Sequence, residues 1–135
     1  MRLINHIHPT QEQLTQFVNN MPEDTPITMV NILKFKDAVE EEDLTGKEVY
    51  NRYAAKVLPF LKSVGGRMIW RGNVSQTLIG DETDQPHVVI LVTYPSSAHF
   101  LKMITDEGYQ KISKDRSISL EYGGLLATIT DNSTL

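Results

Sequence analysis

At 135 residues, with 40% hydrophobic and 22% charged side chains, the chain has the size and balance of one ordinary domain, able to bury a core without covalent staples. A formal net charge of −4 and the lack of any basic run argue against a nucleic-acid partner, whose phosphates demand clustered Lys and Arg, and the absence of cysteine excludes disulfides and thiolate metal sites. No window approaches the roughly 18 apolar residues of a membrane helix, and MRLINHIHPTQEQL lacks the apolar centre of a signal peptide, so the chain reads as soluble and cytoplasmic, with no membrane partner.

Thr10 and Gln13 form a capping box ahead of Leu14, Phe17, Val18 and Met21, which predicts a short first helix that must dock to be stable. After an acidic turn between Pro22 and Pro26, ITMVNILKFK (27–36) reads as a strand. A second capping box, Thr45 with Glu48, opens the strongest helix, carrying Tyr50, Tyr53, Val57, Leu61 and Val64 on one stripe and closed by Gly65 and Gly66. GGRMIWRGNV (65–74) begins a strand running toward Leu78, a GDETDQP turn follows, and HVVILVTY (87–94) is the third strand. Helical segments opened by Pro95–Ser96 and by Asp106 lead through Tyr109, Ile112, Arg116 and Leu120 to a last strand at 123–130. The order is βαββαβ behind an extra N-terminal helix. It predicts an α+β, ferredoxin-like domain with a four-stranded antiparallel sheet, in which residues 1–26 are an extension and 27–130 the core.

Both parities of these strands are apolar: Thr28, Val30 and Ile32 oppose Met29, Leu33 and Phe35, and Val88, Ile90 and Val92 oppose Val89 and Leu91. Two main helices cover one face only. Monomers seldom leave several hundred Å² of contiguous apolar surface in water, so we expect a homodimer with the sheets face to face, unless the first helix covers the second face.

Tyr50-x-x-Tyr53, Gly65-Gly66-Arg67, Arg71-Gly72, VVILVTYPS (88–96), Asp106 through Tyr109-Gln110, and Arg116 together resemble the bacterial family of unknown function numbered 1330, over roughly residues 27–130. Asn73 and Gly108 depart from its pattern. The resemblance implies a dimeric α+β barrel. Related barrels include cofactor-free monooxygenases, lactone isomerases, dehydratases and haem proteins, a range too wide to choose a reaction.

The residues suggest a pocket. Arg67 and Arg71 share a parity with Ile69, opposite Met68, Trp70 and Val74. With Trp70 taken as core, both arginines turn toward the dimer seam, where a guanidinium pairs with a carboxylate of the protein or with a bound organic anion. Asn31, polar amid Met29, Leu33 and Phe35, joins them there as a ligand contact or a satisfied core amide. Arg116 closes the mouth of such a cavity or snorkels past the core. Tyr53 and Tyr94 pack against the sheet or lend a hydroxyl to a ligand. His87 serves as a general base if it reaches the pocket. His6-x-His8 has chelating spacing but no further ligands, so no metal is expected, and no nucleotide or hydrolase motif occurs. The leading expectation is a cofactor-independent enzyme acting on a small anionic molecule near Arg71 and Asn31. The alternatives are a non-catalytic binding module and a haem protein ligated by His87 or His99.

Overall fold

The computed structural model describes residues 3–133. Both capping boxes are formed. Thr10 accepts from the Gln13 amide ahead of α1 (Gln11–Asn20), and Thr45 accepts from the Glu48 amide ahead of α2 (Gly46–Ser63), which continues through Pro59. At its far end the amides of Gly65 and Gly66 bond the carbonyls of Lys62 and Leu61 at 3.0 and 2.8 Å, which satisfies the last turn. Asp106 caps α4 (Glu107–Ser119) by accepting from the amides of Gly108 and Tyr109, and Ser96 caps α3 (Ser97–Ile104). Two boundaries differ from the sequence reading. Leu120 is the first residue of β4 (Leu120–Thr128), paired with Phe35, and β2 (Arg67–Asn73) stops well short of Leu78. No helix among the described residues is long and apolar enough to cross a membrane.

With β1 (Ile27–Phe35) and β3 (Val88–Tyr94), the strands form one antiparallel sheet in the order β2-β3-β1-β4, the ferredoxin-like arrangement. Because directly paired residues of an antiparallel sheet share a face, the register assigns every side chain. Ile27, Met29, Asn31, Leu33 and Phe35 pair with Tyr94, Val92, Ile90 and Val88 across to β3 and with Ala127, Leu125, Gly123 and Leu120 across to β4. This is the face the helices cover. It holds two linked cores, one of Leu33, Phe35, Tyr50, Tyr53, Val88, Ile90 and Leu120, the other of Ile27, Met29, Leu61, Val64, Tyr94 and Met103.

In β2 the register slips between Met68 and Trp70. One extra residue in a strand reverses the facing of everything beyond it. Arg67, opposite Thr93, and Arg71, opposite Ile90, therefore lie on opposite faces of the sheet, and the shared parity read from the sequence is wrong. Arg71 faces the helices. Trp70, opposite Leu91, stands on the open face and is 53% exposed rather than core.

On that open face, Trp70, Leu91, Val30 and Leu126 form one row across all four strands, flanked by Val89 and Ile32. The first helix does not cover it. Phe17 of α1 packs edge-on against Phe100 of α3 at 5.6 Å and, with Met21, against the second core, all on the helix side.

An ion cluster ties α2 to α4. Arg52 donates to Asp115 through Nε at 2.8 Å and Nη2 at 2.9 Å, and Nη2 also reaches Glu42. These bonds hold the Asp115 carboxyl below its ordinary range. A carboxyl depressed in the folded state contributes stability that is complete above its unfolded pKa and is lost as pH falls through the folded one. The stability gap between wild type and Asp115→Asn, read by urea denaturation, should stay level from pH 5 to 8 and close below about pH 4.

Candidate functional site

On the helix side a cleft of about 620 Å³ opens between the sheet, α1, α3 and α4, with Leu3 and residues 6–9 as its outer wall. Its floor is Met29, Asn31 and Leu125 of the sheet. Phe17, Phe100 and Met103 supply apolar sides, and Tyr53, Tyr94, Tyr109 and Arg116 bring polar groups into it. Few polar groups in an apolar hollow is the usual composition of a small-molecule site. A hollow of about 740 Å³ on the other side is lined by Lys34, Lys36, Asp84 and Glu121. There Lys34 already lies 3.9 Å from Asp84 and 3.7 Å from Glu121, so that charge is compensated within the protein.

Arg116 differs in this respect. Its Nη1 donates to the Ile7 carbonyl at 2.9 Å and its Nη2 to the Gly123 carbonyl at 3.2 Å. Both are neutral acceptors. Among the described residues no carboxylate pairs with it, and no Asp or Glu lines the cleft. A half-buried guanidinium thus keeps its whole charge and further N–H donors. The seat exists because residue 123 is glycine: a Cβ there would lie 2.7 Å from Nη2. The Gly123 amide in turn donates to the His6 carbonyl at 2.7 Å, so β4, Arg116 and the N-terminal segment are mutually fastened.

Asn31 reaches the Ile90 carbonyl with its amide at 3.4 Å and lines the cleft. The hydroxyls of Tyr53, on α2, and Tyr109, on α4, are 3.0 Å apart. Burial, then the neighbouring Tyr109, raises the Tyr53 phenol well above its ordinary value, with the Arg116 charge opposing. Burial likewise raises Tyr94, which lies against Phe100 with ring centroids 5.1 Å apart. At neutral pH these two phenols are hydrogen-bond donors and not bases.

Of the residues singled out from sequence, Asn31, Tyr53, Tyr94 and Arg116 meet in this cleft. It lies under the helices and not in a seam between sheets, where Asn31 was placed by parity. Arg71 stands in the same cross-strand row as Asn31, separated from it by Ile90, and outside the cleft lining. It has no carboxylate partner among the described residues, and its charge acts on the buried Tyr50 phenol. Arg67 is exposed on the far face.

His87 does not reach the cleft. Its Nδ1 accepts from the Phe35 amide at 2.9 Å and its ring stacks on Phe35, because the start of β3 is bound to the end of β1. His99 bonds Ser96 Oγ at 2.7 Å within the α3 cap. Neither lines the cleft. His6 and His8 lie on its outer wall, and no group of three metal-ligating side chains occurs among the described residues. Tyr109 and the wall of Leu3 and residues 6–9 went unrecognised as site elements. The signal for Tyr109 was present, since it shares a helical stripe with Arg116 seven residues on.

A family model described as a domain of unknown function (DUF1330) matches residues 38–126. A solved protein of unknown function from Rhodopseudomonas palustris is 31% identical, with 96% of this chain and 99% of that one covered at a TM-score of 0.89. Two more distant structures share the fold. One is a hydroxynitrile lyase from Passiflora edulis (14% identity, 83% and 99% covered, TM-score 0.60), the other a dimeric protein of unknown function and ferredoxin-like fold from Bacteroides fragilis (12%, 81% and 100%, 0.55). Comparison with curated proteins finds no match.

Proposed function

The chain belongs to the DUF1330 family, whose description carries no activity, and from the cleft itself we propose that the protein binds a small organic anion, its charged group seated at Arg116. The observation that carries this is the uncompensated guanidinium in a cleft without carboxylates. A planar fork with spare donors suits a carboxylate. Asn31 and the apolar Met29, Met103 and Phe100 accommodate the organic body.

The chemistry this site supports is recognition and polarisation. A cation and phenol donors stabilise developing negative charge, while no carboxylate lines the cleft to act as a general base and His87 lies outside it. The imidazoles of His6 and His8, on the outer wall, are the side chains of general-base type in the lining. The same fold serves a lyase in Passiflora edulis, and the fold alone selects no reaction.

The open sheet face is the reason to read the protein as a homodimer. Four strands at about 4.8 Å spacing and seven to nine residues at about 3.4 Å rise cover roughly 500 Å² in projection. That is of the order of one partner's share of a stable interface. A two-fold pairing sets the same apolar row against itself, and the Bacteroides fragilis protein of like fold is dimeric.

Titration calorimetry with benzoate tests the anion reading. Arg116→Gln should weaken binding by about 30-fold, the worth of a charge-assisted hydrogen bond. Equal affinities in the two proteins would sink it.

A further inference from the structure

Two facing hydroxyls carry two protons, and the bond between them uses one. The pair of Tyr53 and Tyr109, 3.0 Å apart, has no other hydrogen-bond partner for either hydroxyl among the described residues, and both side chains line the cleft. One O–H is therefore left over, and the cleft is where it can be used. It is a donor held in place by two elements that do not move apart easily: α2 and α4 are clamped by the bidentate Arg52–Asp115 pair. Edge-on contacts of Tyr109 with the rings of Tyr53 and Phe60 orient it further.

Tyr109 and Arg116 lie on one helix, seven residues apart, which places their backbones about 10 Å apart along one face of α4. Both side chains reach the same cleft. An anion at Arg116 and an acceptor at the tyrosine pair are thus served at two points of one hollow, with Asn31 and apolar side chains also in its lining.

We propose that the Tyr53–Tyr109 pair is a second recognition point, donating a hydrogen bond to a keto, enol or phenol oxygen at the far end of a carboxylic acid whose carboxylate sits at Arg116. The ligand class is an oxo- or hydroxy-substituted aromatic or conjugated acid, with its two oxygen functions at opposite ends rather than on adjacent carbons. This rests on the anion reading of Arg116 and adds the substituent that the cleft selects. The phenol of Tyr53 retains its proton at neutral pH, since burial raises it, so the donor persists across the physiological range.

The test uses a matched pair of probes, 4-acetylbenzoate and 4-isopropylbenzoate, which share shape and charge and differ in one carbonyl acceptor. By titration calorimetry the wild-type protein should prefer the acetyl compound by about tenfold. The double variant Tyr53→Phe/Tyr109→Phe, which removes both hydroxyls, should bring the ratio near one, with thermal denaturation confirming that it folds. Arg116→Gln should weaken both probes alike and leave their ratio intact. A wild-type ratio near one, or a ratio unchanged in the folded double variant, overturns the tyrosine proposal while leaving the anion site standing. Failure of either probe to respond to Arg116→Gln overturns the anion reading instead.

Discussion

Leu91→Lys should abolish the proposed pairing of open sheet faces and leave a folded monomer. Leu91 stands between Trp70 and Val30 in the row that crosses the open face, so in an isolated protomer a lysine there extends into water at little cost. In a two-fold interface the substitution appears twice, and each ammonium would be desolvated without a partner, a penalty of several kcal/mol per ion. The dimer dissociation constant should rise more than about 1,000-fold. Sedimentation velocity at micromolar concentration reads the change, and circular dichroism reads the fold. The cleft lies mainly on the other side of the sheet, with Leu126 of the open-face row at its margin, so benzoate affinity should survive the loss of the dimer. A wild type that sediments as a monomer, or a variant that stays dimeric, removes the paired-sheet reading. A monomer that no longer binds benzoate would place part of the site across the interface.

The secondary structure was legible because its signals are local. Thr10 with Gln13 and Thr45 with Glu48 cap where they should, and the doubly apolar strands read correctly as strands. Facing was another matter. When both parities of β1 and β3 are apolar, hydrophobicity cannot say which parity meets the helices. In RMIWRGN no residue type announces the slip after Met68, a non-local feature that becomes visible only against Val92 and Leu91 of β3. A single extra residue turned Arg71 toward the helices, left Arg67 on the open face and put Trp70 in the open.

The same limit governed the site. Asn31, Tyr53, Tyr94 and Arg116 were chosen because polar groups among apolar ones need partners, and that argument holds on either face, so they converge as expected but under the helices. His87 stays out of the cleft because its partner is the backbone amide of Phe35, 52 residues away, which no spacing reveals. The N-terminal wall went unseen for a related reason. It docks through the carbonyls of His6 and Ile7, and carbonyls are the same at every residue.

Gly46→Ala should be the most damaging small substitution in the chain. Gly46 is the first residue of α2, where its amide donates to the Lys36 carbonyl at 3.0 Å while the Lys36 amide donates to the Ser119 carbonyl at 2.9 Å. The end of β1, the start of α2 and the end of α4 meet there with no room for a side chain. A Cβ would fall 2.6 Å from the Ser119 oxygen and the Lys36 nitrogen, and onto the Lys36 oxygen. All three are backbone atoms that cannot rotate aside, so the elements must separate. The cost should be about 3 kcal/mol, the upper end for overpacking, against about 1 kcal/mol for Thr45→Ala, which loses only the cap. Urea denaturation of the two variants compares them. The displacement also travels along α2, because Tyr53 lies seven residues on and its hydroxyl must stay 3.0 Å from Tyr109. Gly46→Ala should therefore also reduce the preference for 4-acetylbenzoate, which Thr45→Ala should leave unchanged. If Gly46→Ala unfolds no more readily than Thr45→Ala, the three-way junction does not set the height of α2 above the sheet, and the placement of the tyrosine pair must have another cause.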